Sequence, residues 1–246
     1  MTVRPEQLSA QVIWHDLECG AYAADLTVWR SLAEQYRGPL LDVGAGTGRV
    51  TLDLARRGHL VTALDRDPVL IAELARRADD LPITALQGDA RKFELDQRFG
   101  LIIVPMQTVQ LLGGERGRRR FLETAARHLR AGGLIAVAIT EVLEPFTLGD
   151  GYPPPLPDIR ELDGIVYSSQ PTAVREDREG FVLERLRETI RPDGVRQVEH
   201  DLIRLDRVNA SQLEREARTV GILAGGCESV AATDDHVGSV VVKLGG

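Results

Sequence analysis

Residues 40–48 read Leu-Leu-Asp-Val-Gly-Ala-Gly-Thr-Gly, a short apolar run ending in three glycines at alternate positions. The apolar run reads as a buried strand. Glycines at this spacing let the chain reverse tightly and let another group approach the backbone, because they carry no Cβ. Helical spacing follows over 47–57 and stops at Gly58. The next hundred residues repeat the alternation. Apolar runs at 60–64, 83–86, 101–104 and 134–139 read as strands, with helices predicted over 68–77 and 115–129. Asp67 is the expected N-cap of the first of these, with Pro68 in its first turn, and Gly132-Gly133 the expected stop of the second. Strands without polar alternation, separated by helices, imply a parallel sheet covered on both faces.

Composition narrows what this sheet belongs to. At 246 residues, 43% hydrophobic and 27% charged, the chain is long enough to bury a core without staples. Its net charge of −7 argues against a sequence-independent grip on nucleic acid phosphate. Cys19 and Cys227 are too few for a disulfide framework, and no His, Cys, Asp and Glu have metal-ligand spacing, so no metal is expected. The opening stretch lacks an apolar signal core, and no run approaches the ~20 apolar residues of a membrane span. A cytoplasmic protein without membrane partners is expected.

Outside the repeat, residues 6–36 read as two short helices parted at Gly20. Residues 149–157 carry four prolines and read as a loop. Segments 181–190 and 195–205 flank Pro192-Asp193-Gly194 as a hairpin with one wet face. Ser211 and Glu214 form a capping box for a helix to Thr219, and 227–232 with 237–244 form a last antiparallel pair. The expected division is 1–37 as a helical cover, 38–145 as the α/β core, 146–208 as a covering loop and hairpin, and 209–246 as a helix and strands completing the sheet.

Three strand ends carry the chemistry. The glycine spacing is neither that of a dinucleotide fingerprint nor of a phosphate loop, so pyrophosphate is not the favoured anion; a carboxylate suits the free N–H groups of the helix start. Asp65 closes the second strand, 17 positions after Gly48. A carboxylate there accepts from vicinal ribose hydroxyls, and as a helix cap it is redundant with Asp67. Asp89, in Gly88-Asp89-Ala90, is either an acceptor for an adenine amine or a turn residue.

As a set, Asp42-Val43-Gly44-Ala45-Gly46-Thr47-Gly48, Asp65 and Gly88-Asp89-Ala90 resemble the class I S-adenosylmethionine-dependent methyltransferases of small-molecule type. Phe99 to Pro105 looks like the family's fourth-strand motif, and Leu129-Arg130-Ala131-Gly132-Gly133-Leu134 is similar to its entry to the fifth strand. The resemblance covers about residues 20–140. It implies a doubly wound, mostly parallel seven-stranded sheet of Rossmann-like α/β type, its last strand antiparallel, with the hairpin as an added cover. It implies S-adenosyl-L-methionine as cofactor, held by Tyr22, Asp42, Gly44, Ala45, Gly46, Asp65, Arg66, Asp89, Ala90 and Pro105. Two departures stand out: Gly100 replaces a usual Asp, and Ala131 a usual Pro. Val104-Pro105-Met106-Gln107 lacks the Asn/Asp-Pro-Pro-Tyr/Phe pattern of enzymes that methylate nucleic acid bases, which sets nucleic acid aside as a partner.

Methyl transfer from a sulfonium needs alignment and dryness first, and a general base only where the acceptor is protonated. Candidate bases are His15, Glu141, Asp16 and His236, of which His15 and Glu141 are carried forward as catalytic. The acceptor, a small molecule of natural-product or sugar type methylated on O, N or C, is expected between the N-terminal helices, the proline-rich loop at Tyr152 and the hairpin. Trp14, Phe146 and Tyr167 are available to line that space or simply to pack. The Glu115 to Arg120 run reads as a solvated helix face. A cyclisation or rearrangement on the same fold, or cofactor binding without turnover, are the competing expectations, and the protein is a monomer or homodimer.

Overall fold

In the computed structural model, which describes residues 8–151, 155–233 and 236–245, every residue of β1 (Leu40–Val43) is buried. This is the signature of a central strand covered on both faces. Before it lie α1 (Ala10–Cys19) and α2 (Leu26–Gln35); after it come α3 (Arg49–Arg56), β2 (Val61–Asp65), α4 (Pro68–Ala78), β3 (Ile83–Gln87) and β4 (Phe99–Val104). A short 3-10 turn (Thr108–Leu111) leads to α5 (Gly114–His128) and β5 (Leu129–Ile139). The chain then builds β6 (Phe146–Thr147), β7 (Asp158–Leu162), β8 (Ile165–Glu176), β9 (Gly180–Ile190) and β10 (Arg196–Asp206). It closes with α6 (Ala210–Arg218), β11 (Leu223–Val230) and β12 (Ser239–Gly245).

Seven strands form one sheet in the order β11-β12-β5-β4-β1-β2-β3. The pairings from β3 to β5 are parallel, and β12 runs antiparallel to both its neighbours. The fold is therefore a doubly wound α/β sheet of Rossmann-like class. Side chains of α2, α3 and α4 pack on one face and those of α5 and α6 on the other. The order reverses beside β1, so the carboxyl ends of β1, β2 and β4 open a crevice.

The second sheet, β10-β9-β8-β6 with β7 on β8, is larger than the single hairpin read from the sequence. β8 is missed there because Ser168, Ser169, Gln170 and Pro171 interrupt its pattern; Pro171 stands at a register shift, where an extra residue is accommodated. Tyr152 lies outside the described residues.

Two sequence expectations are corrected. Gly132-Gly133 do not stop α5, which ends at His128; they lie inside β5, where Gly132 takes φ 71° beside an irregularity in the β4–β5 ladder. Ser211 does not cap α6. Asn209 does, accepting from Gln212 N at 2.8 Å, and Glu141 accepts from Ala210 N at 2.6 Å. The departure at Gly100 has a steric cause: a Cβ there would lie 2.8 Å from the Arg37 carbonyl oxygen.

The Glu115 to Arg120 run is solvated only in part. Arg118 is 2% exposed and donates to Glu216 from Nε at 2.8 Å and Nη2 at 2.7 Å, joining α5 to α6. Arg118→Ala leaves Glu216 as an uncompensated buried charge and is expected to lower stability by about 3–5 kcal/mol in urea unfolding. Adding Glu216→Leu to Arg118→Met removes both charges and is expected to cost less than Arg118→Met alone.

Candidate functional site

Gly44, Gly46 and Gly48 have φ of 75°, 55° and 98°, in the left-handed region that only glycine enters freely. The turn they make is tied to β2. Gly44 N and Ala45 N donate to the Leu64 carbonyl at 2.8 and 3.1 Å, and Gly46 N donates to Asp65 Oδ2 at 2.8 Å. Asp65 Oδ1 accepts from Asp67 N at 2.9 Å. One carboxylate thus clamps two adjacent turns, and each of its oxygens keeps a lone pair for a further donor.

At the end of β3, Asp89 accepts from Arg91 N at 2.9 Å and from the Arg91 guanidinium. That partner holds its carboxyl down at about 2, so the group is an ionised acceptor at neutral pH. Ala90 beside it is half-buried, Arg66 is exposed on the β2–α4 turn, and Pro105 is buried at the end of β4. Met106 then takes φ 54°, unusual for a non-glycine residue, where strain clusters at functional rims. Asp42 is 1% exposed with Thr51 Oγ1 donating to it at 2.6 Å, and burial pushes its carboxyl up to about 6.

The α1 helix lies across the glycine turn. A Cβ on Gly46 would fall 2.3 Å from His15 Nε2, and one on Gly44 would fall 2.4 Å from Thr108 Cγ2. The two glycines therefore make room for an imidazole and a methyl group. Thr47 Oγ1 donates to Asp16 Oδ1 at 2.7 Å and lies 3.2 Å from His15 Nδ1. A hydroxyl has one proton, and the carboxylate takes it. His15 Nδ1 must then be the donor, which leaves the Nε2 lone pair of the neutral ring facing the turn. Burial lowers the His15 pKa, with Asp16, Asp65 and Glu18 opposing, so the neutral ring prevails at neutral pH.

Charge fixes α1 in place. Arg77 on α4 donates to both oxygens of Asp16 at 2.5 and 3.0 Å; burial would raise the Asp16 pKa, but Arg77 and Thr47 outweigh it. Gln11 also donates to Asp67. On the far side Trp14 meets Tyr167 edge-on at 5.5 Å, so these rings belong to packing between α1 and the second sheet.

The structure separates the other candidates. Tyr22 is 6% exposed and contacts His236 ring to ring at 4.8 Å, with Arg49 donating to its carbonyl. Glu141 is exposed and engaged with the N-terminus of α6, apart from the contacts that join His15 to Gly46. Phe146 packs with Leu143, Val174 and Phe181. Sequence reasoning missed Thr47 as a relay, Thr108 as a cover, and Arg77 as an anchor. Only Thr47 carried a signal, since it stands inside the glycine motif; the other two meet the turn through tertiary contacts. Two surface cavities, lined by Arg98, Arg127 and Val220 and by Tyr36, Gly100 and Arg130, lie on the opposite edge of the strands. Among the described residues no group of three His, Cys, Asp or Glu is placed to hold a metal, and no helix is long and apolar enough to cross a membrane.

Residues 40–133 match the family model described as "Methyltransferase domain". The chain is 30% identical over 122 residues to a cypemycin N-terminal methyltransferase of a Streptomyces species, covering 49% of this chain and 50% of that one. It spans about half the length of the curated relatives it matches. Among solved structures it is similar to CalS10, an amino pentose methyltransferase of Micromonospora echinaspora solved with bound S-adenosylmethionine, with TM-score 0.68, 18% identity and coverage of 97% and 99% of the two chains. It is also similar to the glycopeptide N-methyltransferase MtfA in complex with S-adenosylmethionine, with TM-score 0.55, 26% identity and coverage of 92% and 96%. Residues 40–133 thus match a methyltransferase domain, and the glycine turn with carboxylates at two strand ends suits S-adenosylmethionine as its cofactor.

Gly46→Ala is expected to lower stability by about 1–3 kcal/mol, from backbone strain and the collision with His15, and to speed hydrogen exchange across residues 10–19. Gly58→Ala is the control, since it has φ 88° but open space around it and leaves that exchange unchanged. Asp42, whose folded pKa lies above the ordinary 3.8, contributes stability that is present below pH 4 and is lost as pH rises through about 6. Relative to Asp42→Asn, the natural protein is expected to lose roughly 2–3 kcal/mol between pH 4 and 7, read from urea unfolding at each pH.

Proposed function

We propose that this protein transfers a methyl group from S-adenosylmethionine to an amine nitrogen of a small natural-product acceptor, with His15 as general base. The observation that carries this reading is the His15 Nε2 lone pair held over Gly46 inside the cofactor domain. Amine acceptors are favoured because the names of several relatives specify N-methylation, and because an amine is protonated at neutral pH and so has use for a base.

Asp65 would accept from the ribose hydroxyls on its two remaining lone pairs, Asp89 would accept from the adenine side, and Asp42, Gly44, Ala45 and Gly46 would line the amino-acid end. Arg66, Ala90 and Pro105, beside the ends of β2, β3 and β4, border the same space. When bound, S-adenosylmethionine would supply a methyl group from its positive sulfur to the acceptor nitrogen, the C–S electron pair going to sulfur. His15 Nε2 receives the proton that nitrogen gives up. Thr47 holds the imidazole orientation through Nδ1–H, and the Asp16 charge favours the imidazolium that forms. Arg77 keeps Asp16 ionised. Glu141, bound to the start of α6, is the weaker candidate for the base.

The test is methyl transfer from isotope-labelled cofactor to a panel of amines, read by mass spectrometry. A product heavier by one methylene unit distinguishes methylation from cyclisation, and absence of any heavier product counts against the reading. Asp65→Ala is expected to weaken S-adenosylhomocysteine binding about tenfold or more in calorimetry. His15→Gln is expected to lower kcat by roughly 10²–10⁴-fold while S-adenosylhomocysteine affinity stays within a few-fold. The natural enzyme should lose kcat as pH falls below the ordinary histidine range, and His15→Gln should lack that acid limb.

A further inference from the structure

Two glutamines at the turn that follows β4 are placed differently by the fold. Gln110 is 0% exposed and uses its whole amide. Its Oε1 accepts from Thr140 N at 2.8 Å, and its Nε2 donates to the carbonyls of Thr140 and Asp206, each at 3.0 Å. That is the ordinary state of a buried polar group. The Gln110 backbone N–H donates to the Gln107 carbonyl at 2.8 Å. Gln107 Nε2 in turn donates to Thr140 Oγ1 at 2.9 Å, on a buried threonine. The Gln107 side chain is thereby pinned across the carboxyl ends of β4 and β5, by a scaffold that is itself satisfied.

The Gln107 amide oxygen is left over. Among the described residues Oε1 has no partner, yet it is not enclosed, so it stays open to a ligand. Met106 before it takes φ 54°, a strained conformation of the kind kept where a group must be aimed. Thr108 after it packs over Gly44, while His15 packs over Gly46. Chain length keeps those two glycines within ~7 Å of each other. The glycine turn therefore has a preoriented acceptor on either side. His15 Nε2 comes from α1, and Gln107 Oε1, next to Thr108, from the end of β4. Side chains locked by a second layer of hydrogen bonds are suited to orient a reacting atom.

We propose that Gln107 positions the acceptor nitrogen, its Oε1 holding the N–H that the amine keeps while His15 Nε2 takes the one it loses. Counting hydrogens selects the acceptor. A neutral primary amine has two hydrogens and one lone pair, so both protein acceptors are met and the lone pair is left for the methyl carbon. One N–H proton passes to His15 Nε2 as the N–C bond forms, and the C–S electron pair stays on sulfur. A hydroxyl has one hydrogen and leaves one of the two acceptors unmet. A neutral secondary amine does the same, and sets an alkyl group against Oε1. The site is therefore expected to prefer primary amines to alcohols and to stop after one methyl group. The proposal rests on the methyl-transfer reading and adds the residue that fixes the acceptor atom and the extent of methylation.

The experiment titrates benzylamine and benzyl alcohol, which differ in one heavy atom, into protein loaded with S-adenosylhomocysteine, by saturation-transfer NMR. The natural protein is expected to bind the amine about tenfold more tightly or better. Gln107→Leu is expected to reduce that ratio about fivefold, with S-adenosylhomocysteine affinity within about twofold of the natural protein. Gln107→Met carries the test if Gln107→Leu does not fold. Gln107→Glu keeps an oxygen at the same place and is expected to keep the ratio, whereas a purely structural Gln107 predicts one ratio in every variant. Products give the second readout. With a primary amine that the panel above shows to be methylated, the natural protein is expected to release almost only the monomethyl product, and Gln107→Leu comparable amounts of mono- and dimethyl product. Equal binding of the two probes by the natural protein overturns the proposal, as does an unchanged ratio in Gln107→Leu or a mainly dimethylated product from the natural protein. Failure to bind S-adenosylhomocysteine, or to methylate any amine of the panel, removes the methyl-transfer reading and this one with it; cofactor binding and methyl transfer with no effect of Gln107 removes this one alone.

Discussion

The rim of this protein depends on the Asp65 carboxylate, which accepts from Gly46 N and Asp67 N at once. Charge-assisted bonds of this kind are stronger than neutral ones. Here they hold two loops whose backbones have no ladder partner. The Gly46 end fixes the left-handed turn after β1, and the Asp67 end fixes the entry to α4, from which Arg77 reaches α1. A single side chain therefore ties together the glycine turn and the entry to the helix that anchors α1.

What closes the site is charge added to apolar packing, since Ile13 and Trp14 are buried against Tyr167 of the second sheet. α1 is held to the core through Asp16, with Arg77 and Thr47, and to the second sheet through Glu18, with Arg187 and Ser169. These pairs are substantially buried: side-chain exposure is 24% and 11% for Arg77 and Asp16, and 19% and 7% for Arg187 and Glu18. Screening by water is weak there, and geometry is specified. The pairs on the outer edge of the second sheet, Arg175 with Glu184 and Arg204 with Asp177, are far more exposed and contribute little by comparison. The same chemistry thus orders the site in one place and solvates the surface in another.

Much of this was visible in local residue order, and its failures have identifiable causes. The inner strands of the parallel sheet announced themselves because burial on both faces demands unbroken apolar runs. β8 did not, because a strand in a partly solvated antiparallel sheet tolerates Ser168, Ser169 and a proline at its irregularity. Gly132-Gly133 resemble a helix stop, but glycine is equally suited to a bulge, and the β4 neighbour decides which. Ser211 with Glu214 has the spacing of a capping box, yet Asn209 comes first and its side-chain amide oxygen accepts from the free Gln212 N–H. Gly100, a departure from the family pattern, makes sense only with the Arg37 carbonyl against it.

From order alone came the alternation of strand and helix, the three glycines of the turn and the acidic residues after β2 and β3, because these are written in nearest-neighbour sterics and periodicity. The register of the sheet, the tautomer of His15, the anchoring of Asp16 by Arg77 and the pinning of Gln107 to Thr140 came only with the tertiary structure. Each joins residues far apart in the chain, and hydrogen-bond direction and burial have no meaning until the partners are brought together.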